Sequence, residues 1–215
     1  MSGAAPTSPG TEPAQNPASS GRKREILDRK PRTPHVPGEP ELWIFILGDL
    51  AIFGVFFTLW SWNHAHQPEL FTWGRGKVSL TLGLINTVVL LTSSAAVAVG
   101  LILARARGPR EASQYLKVAA VLGGFFVAVK SVEYTKHIAG PPHSLGNDFF
   151  MYYFVFTGIH LIHVLVGIIG LTWAFRRCRR PQRGRSEIPF LEGVAVYWHM
   201  VDLLWIVLFL LIYLI

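Results

Sequence analysis

Cysteine is nearly absent: Cys178, set among arginines, is the single one in 215 residues. No disulfide scaffold can be built from it, and no thiolate is available inside an apolar segment to ligate a metal. Charged side chains are scarce, at 15% of the chain, and they avoid five long apolar runs. A soluble helical domain would show charged stripes along such runs, and these have none. No short apolar core with a small-residue cleavage site precedes the first long run, so a cleavable leader is not expected. Inverted repeats and paired broken helices are also lacking, which argues against an independent transporter.

What is present divides sharply near Pro40. Residues 1–40 contain eight of the fourteen prolines, with Ser, Gly and Ala followed by a basic stretch. Such a segment cannot bury enough apolar surface to offset its ordering entropy, so a disordered basic arm is expected. Beyond it, residues 42–62, 80–103, 116–138, 149–175 and 194–215 are each long enough to cross a bilayer, which takes roughly 20 residues. Lipid offers the backbone no hydrogen bonds, so each run is read as a helix despite its many Val and Ile residues. The expected fold is an all-α integral membrane bundle of five transmembrane helices, one domain over 41–215.

Orientation follows from the basic residues. Arg22, Lys23, Arg24, Arg29, Lys30 and Arg32 lie in the arm, Arg105, Arg107, Arg110 and Lys117 flank the second connection, and six arginines between Arg176 and Arg185 fill the fourth. With five spans these regions share one side, and the other side has only Arg75, Lys77 and Lys136. The positive-inside rule places the N-terminus in the cytoplasm and the C-terminus outside a bacterial-type plasma membrane. Topology and anionic headgroups account for these basic loops, and nucleic acid is not expected as a partner.

Polar residues inside the runs are few and come in pairs. His199 and Asp202 stand three apart in the last run, hence on one helical side. Span one contains Gly48-Asp49, span three contains Lys130, Glu133 and Tyr134, and span four contains His160 and His163. Lys130 can pair with Glu133, and Glu133 with His137. Ionisable groups at bilayer depth cost a few kcal/mol and need a partner or water, so these residues are candidates for buried contacts, subunit interfaces, lipid contacts or proton movement. Gly123-Gly124, Gly158, Gly167, Gly170 and Ser93-Ser94 permit close helix approach. Trp43, Trp60, Trp62, Trp73 and Trp173 lie near span ends and read as interfacial anchors, whereas Trp198 and Trp205 lie deeper and read as packing.

Metal ligation is the competing reading. Two histidines three apart on one helix cannot supply both axial ligands of a haem, but His160, His163, His199 and Asp202 could form a metal site if spans four and five were adjacent. An independent haem- or metal-binding membrane protein using His160, His163 and His199 is therefore the alternative. No Glu-x-x-His signature supports it, and interhelical hydrogen bonding is the simpler role.

The runs also carry a resemblance. Gly146-Asn147-Asp148-Phe149-Phe150, with Phe156-Thr157-Gly158-Ile159-His160-Leu161-Ile162-His163-Val164 and Gly167, resembles the penultimate helix of subunit III of the haem-copper oxidases. Tyr197-Trp198-His199-Met200-Val201-Asp202-Leu203-Leu204-Trp205 resembles that family's last helix. Glu133-Tyr134 and Leu84-Ile85-Asn86-Thr87 with Ser93-Ser94 fit its intervening spans. The resemblance runs in order from Pro40 to Ile215 and implies a non-catalytic accessory subunit of a respiratory electron-transport complex. By that resemblance the chain packs against a large haem-bearing membrane subunit, alongside other respiratory subunits, and supports assembly, durability and proton uptake. It also implies that haem and redox metals reside in partner chains, that this chain binds none, and that phospholipid lies between its helices. Larger members have seven spans against five here, and many carry Ser-Glu where this chain has Gly48-Asp49. The Gly-Asp variant, the five spans and Met151-Tyr152-Tyr153-Phe154 look more like the branch associated with nitric oxide reductase, which the sequence favours slightly over a cytochrome c oxidase partner.

Overall fold

The computed structural model describes residues 40–139, 148–180 and 187–215. The proposed arm lies outside the described residues apart from its last one, Pro40, which opens the first helix. Among the described residues six α-helices follow in order: α1 (Pro40–His66), the short α2 (Pro68–Arg75), α3 (Leu80–Arg107), α4 (Pro109–Ile138), α5 (Asp148–Cys178) and α6 (Ile188–Phe209). The chain finishes in a π-helical turn, Leu210–Leu214. Among the described residues, five helices are long and apolar enough to span a membrane: Glu41–His66, Leu80–Arg107, Pro109–Ile138, Asp148–Cys178 and Ile188–Leu214. This is the expected all-α multi-pass membrane protein.

Every span is longer than its apolar run. The helices continue into charged sequence because a helix end at headgroup depth can carry charge that the hydrocarbon could not accept. The second connection shows this best. Residues 104–115, which lie between the expected spans, are helical except for Gly108. Arg105 and Arg107 sit in the last turn of α3, and Glu111 in the first turn of α4, each with the sign that suits its helix dipole. Pro109 starts α4, where its missing N–H costs nothing. Gly108 alone makes the reversal, at φ +111° and ψ 160°, in a region that residues with a Cβ rarely enter. Gly108→Ala is expected to cost about 1–3 kcal/mol, measurable as a lowered unfolding midpoint in detergent.

That one-residue turn sets α3 and α4 side by side, and they form the most extensive helix pair. The α4–α5, α3–α6 and α5–α6 pairs complete a four-helix arrangement. α1 is peripheral: 11% of its apolar window is buried, against 50% for the last span. It meets the bundle mainly through aromatic side chains. Trp60 is 2% exposed and packs on Phe71 of α2 and Phe149 of α5, with ring centroids 4.8 and 5.6 Å away. The expectation of an interfacial anchor therefore fails for Trp60, because α2 folds back over that end of α1. Trp43, Trp62, Trp73 and Trp173 are exposed as expected of anchors.

Trp198 joins three helices. A Cβ built at Gly167 of α5 would lie 2.5 Å from its ring, and one at Gly123 of α4 would lie 2.8 Å away. Its indole Nε1 donates to Ser93 Oγ of α3 at 3.1 Å. Ser93 in turn donates to the Ala119 carbonyl of α4 at 2.9 Å. Small residues on two helices thus admit a large one from a third, and its polar edge is satisfied.

Candidate functional site

Three polar clusters lie within the spans. The deepest centres on Lys130 and Glu133, each 1% exposed. Lys130 Nζ donates to Glu133 Oε2 at 3.0 Å, to Tyr153 Oη at 3.1 Å and to Tyr213 Oη at 3.0 Å. Those three acceptors match the three hydrogens of an ammonium. Tyr213 donates onward to Glu133 Oε1 at 2.8 Å, so both carboxylate oxygens are engaged. The rings of Tyr134, Tyr153, Trp205 and Tyr213 surround the cation at 4.8–5.7 Å. Helix spacing brings Lys130 to Glu133, but Tyr153 comes from α5 and Tyr213 from the terminal π turn. Gly83 of α3 makes room there, since a Cβ would lie 2.7 Å from the Tyr213 ring. A fully satisfied ion pair of this kind holds three elements together and leaves no free amine or carboxylate for chemistry. Tyr134 turns elsewhere and shares a hydrogen bond with Thr157 Oγ1 at 2.6 Å. His137 packs on Phe150 and Tyr153, and no bond joins it to Glu133 among the described residues.

The second cluster pins α1 to α5. Asp49 Oδ1 lies 3.1 Å from His163 Nε2. His163 Nδ1 lies 2.9 Å from the Ile159 carbonyl, which can only accept, so Nδ1 carries a proton. A hydrogen bond between Nε2 and Asp49 then needs a second proton, held by the imidazole or the carboxyl. A double-mutant cycle with Asp49→Leu and His163→Leu is expected to give a coupling of about 1–3 kcal/mol, read from unfolding in detergent. Additive single losses would deny the contact.

The third cluster sits on the α3–α6 seam. Ser94 Oγ and His199 Nδ1 are 2.6 Å apart, and the Ser94 hydroxyl also neighbours Asp202. Asp202 is buried, with Oδ1 unpartnered among the described residues. Further along the seam Trp205 Nε1 donates to Thr87 Oγ1 at 3.0 Å. Trp198 and Trp205 are therefore packing residues with a hydrogen-bonding edge, which their sequence positions did not reveal.

The four residues considered for metal ligation do not converge, although α5 and α6 are adjacent. His160 is fully buried between Phe126 and Trp205, with ring centroids 5.7 and 5.3 Å away. Neither of its nitrogens has a hydrogen-bond partner among the described residues. His163 faces Asp49 on α1, and His199 with Asp202 faces α3. Among the described residues no three of His, Cys, Asp and Glu form a group fit for a metal ion.

Two ion pairs secure the other end of α6. Arg105 donates through Nε and Nη2 to Glu192 Oε1 at 3.1 and 2.8 Å. Arg177 Nη1 lies 3.5 Å from Glu187 Oε2, and its guanidinium covers Trp173 and Phe190 at 5.0 and 4.6 Å. Beside it a groove of about 660 Å³ runs between α1, α5 and α6, lined by Leu42, Gly170, Trp173, Val194 and Tyr197 among others. The groove is apolar along its length and cationic at its Arg177 end.

Comparison with known proteins agrees with this architecture. Residues 41–215 match the family model described as Cytochrome c oxidase subunit III. The chain is 30% identical to a cytochrome c oxidase subunit 3 of Thermostichus vulcanus over 178 residues, covering 80% of this chain and 84% of that one. It is 29% identical to a cytochrome c oxidase subunit 3 of Synechocystis sp. over 172 residues, covering 80% of this chain and 72% of the relative. A heme-copper oxidase subunit I+III of Aeropyrum pernix is 28% identical over 189 residues, covering 81% of this chain and 22% of the relative. The chain thus spans about a fifth of that longer protein and most of the two shorter ones. The family model covers the whole five-span region, and with it the seam histidine and carboxylate, the buried Glu133-Tyr134 and the paired histidines of α5. The chain belongs to the subunit III family of the haem-copper oxidases.

Proposed function

We propose that this chain is a non-catalytic accessory subunit of a respiratory haem-copper oxidoreductase, seated against a large haem-bearing membrane subunit. The observation that carries this reading is the family match across residues 41–215. The side chains agree with it: Lys130 and Glu133 are spent on pairing, His160 on packing, and the histidines turn toward different neighbours. The Aeropyrum relative's name joins subunits I and III in one chain, and we take the same one-to-one pairing for this protein. In that role the bundle would support assembly, durability during turnover and proton uptake, with haem and redox metals held by its partner.

An oxygen-reducing partner is the better-supported choice. The relatives described above carry cytochrome c oxidase or heme-copper oxidase names. The chain also covers 84% of one of them, so its shortness does not single out a nitric oxide reductase branch. Gly48-Asp49 remains the feature that favours the nitric oxide reading. The basic connections are proposed to face the cytoplasm, as the positive-inside rule directs. The groove beside Arg177 is proposed to take a phospholipid, its acyl chains along α1, α5 and α6 and its phosphate against the guanidinium.

The test is removal of the chain from its own membranes. The large subunit should then be less abundant, or its reductase activity should decay several-fold faster during turnover, with recovery when the chain is restored. Unchanged abundance, rate and durability would refute the accessory role.

A further inference from the structure

The apolar groove between α1, α5 and α6 has a cationic neighbour. A smaller pocket of about 280 Å³ is walled by Trp173, Arg176, Arg177 and Arg180. Trp173 and Arg177 line both cavities, so the two share a wall. The four pocket residues stand at i, i+3, i+4 and i+7, the spacing of one helical side. Arg180 lies just past the end of α5, and its N–H donates to the Arg177 carbonyl at 3.1 Å, which carries the turn onward. Cations suit a helix C-terminus, and a basic connection suits topology. Neither requires three guanidiniums to close around one cavity. Arg179 shows the other outcome: at the same helix end it covers Phe175 at 5.5 Å and does not line the pocket.

The described neighbours do not balance the charge gathered there. Arg177 Nη1 lies 3.5 Å from Glu187 Oε2. Arg176 and Arg180 have no carboxylate within ion-pair distance among the described residues. The connection 181–186 contains neither Asp nor Glu, and Glu192 pairs with Arg105. Three guanidiniums thus converge with one carboxylate beside them, an excess of two positive charges. Like charges so placed repel one another and favour an anion between them. A planar guanidinium matches phosphate oxygens in pairs. A lipid with a single phosphodiester would answer half of the excess, and a headgroup with two would answer all of it.

We propose that the groove and the arginine pocket together bind an anionic lipid whose headgroup carries two phosphodiesters. One phosphate sits at Arg177, where the cavities meet, the second lies between Arg176 and Arg180, and acyl chains follow the groove. The inference rests on the lipid reading of the groove and deepens it by naming the headgroup class.

Photolabelling of the full chain, purified from its own membranes with its companion subunits and placed in phosphatidylcholine nanodiscs, tests this. Two probes with a diazirine on an acyl chain are offered in separate arms: diphosphatidylglycerol, and phosphatidylglycerol at twice the molar amount so that total charge is equal. Labelled peptides that contain Gly170 or Val194, both in the groove wall, are quantified by mass. Diphosphatidylglycerol should label them about tenfold more, the order of effect of two further basic contacts. Arg176→Gln with Arg180→Gln should bring the two probes level while labelling by phosphatidylglycerol persists, which shows the groove intact. Arg179→Gln should keep the full preference. Equal labelling of the parent by both probes, or an undiminished preference in the double variant, would overturn the headgroup assignment alone. Loss of the preference on adding millimolar inorganic phosphate would assign the arginines to a free anion and overturn it likewise. No groove labelling by either probe would sink the lipid reading as well.

Discussion

Lys130→Met in an otherwise unchanged chain is expected to lower unfolding stability by about 3–5 kcal/mol, the usual consequence of stranding one member of a buried ion pair. The structure explains why the loss is so large. Glu133 is 1% exposed and would keep a single hydrogen bond, from Tyr213, in place of two. Tyr213 would also lose its donor from Lys130, loosening the π turn that ends the chain. Glu133→Leu should be comparably harmful, because it leaves an ammonium with two phenols and no counter-charge. The double variant Lys130→Met with Glu133→Leu should recover most of the loss. Apolar replacement of a whole buried pair is often neutral. The check is a thermal or denaturant unfolding series in detergent. A single variant within about 1 kcal/mol of the parent, a range typical of an exposed pair, would show that the cluster does not hold the bundle.

Gly167→Ala should be among the most disruptive small substitutions, at about 1–3 kcal/mol or somewhat more. The new methyl would lie 2.5 Å from the Trp198 ring. That ring cannot simply retreat, since Ser93 holds its Nε1 and its far edge lies against α4, where a Cβ at Gly123 would be 2.8 Å away. Gly123→Ala should follow for the same reason. Gly124 is the internal control: nothing lies within 4 Å of a Cβ there, so Gly124→Ala should be neutral or slightly stabilising by helix propensity. The expected order of unfolding midpoints is Gly124→Ala at or above the parent, then Gly123→Ala, then Gly167→Ala. Equal effects at 123 and 124 would mean that Trp198 is not the element joining α4, α5 and α6.

The bundle itself was legible because lipid permits few alternatives: long runs without charge must be helices, and their number followed from the sequence. The Lys130–Glu133 pair was legible too, since two long side chains three residues apart can close the gap. The same spacing misled for His160 and His163. Residues three apart differ by about 60° around the helix, which is enough for short imidazoles on a helix packed from both sides to meet different neighbours. His163 reached α1 while His160 sank between Phe126 and Trp205. The acceptors from Tyr153 and Tyr213 were missed, being 23 and 83 residues from Lys130. A signal existed, because an intramembrane ammonium needs three acceptors and Glu133 supplies one. Trp60 was misplaced because distance from a span end says nothing about α2 folding back over it. The buried, unpartnered Asp202 Oδ1 and the exposure of His199 became visible only when the seam was assembled, since the sequence shows polarity but not which way it faces.

Purification of the tagged full chain from its own membranes, followed by dissociation and assignment of haem to individual subunits, bears most directly on whether this bundle assists rather than performs electron transfer. A larger haem-bearing subunit should accompany it in equal amount, with haem and redox metal following that partner and the separated chain colourless. Haem or a redox metal bound stoichiometrically to this chain alone, and turning over substrate there, would contradict the account.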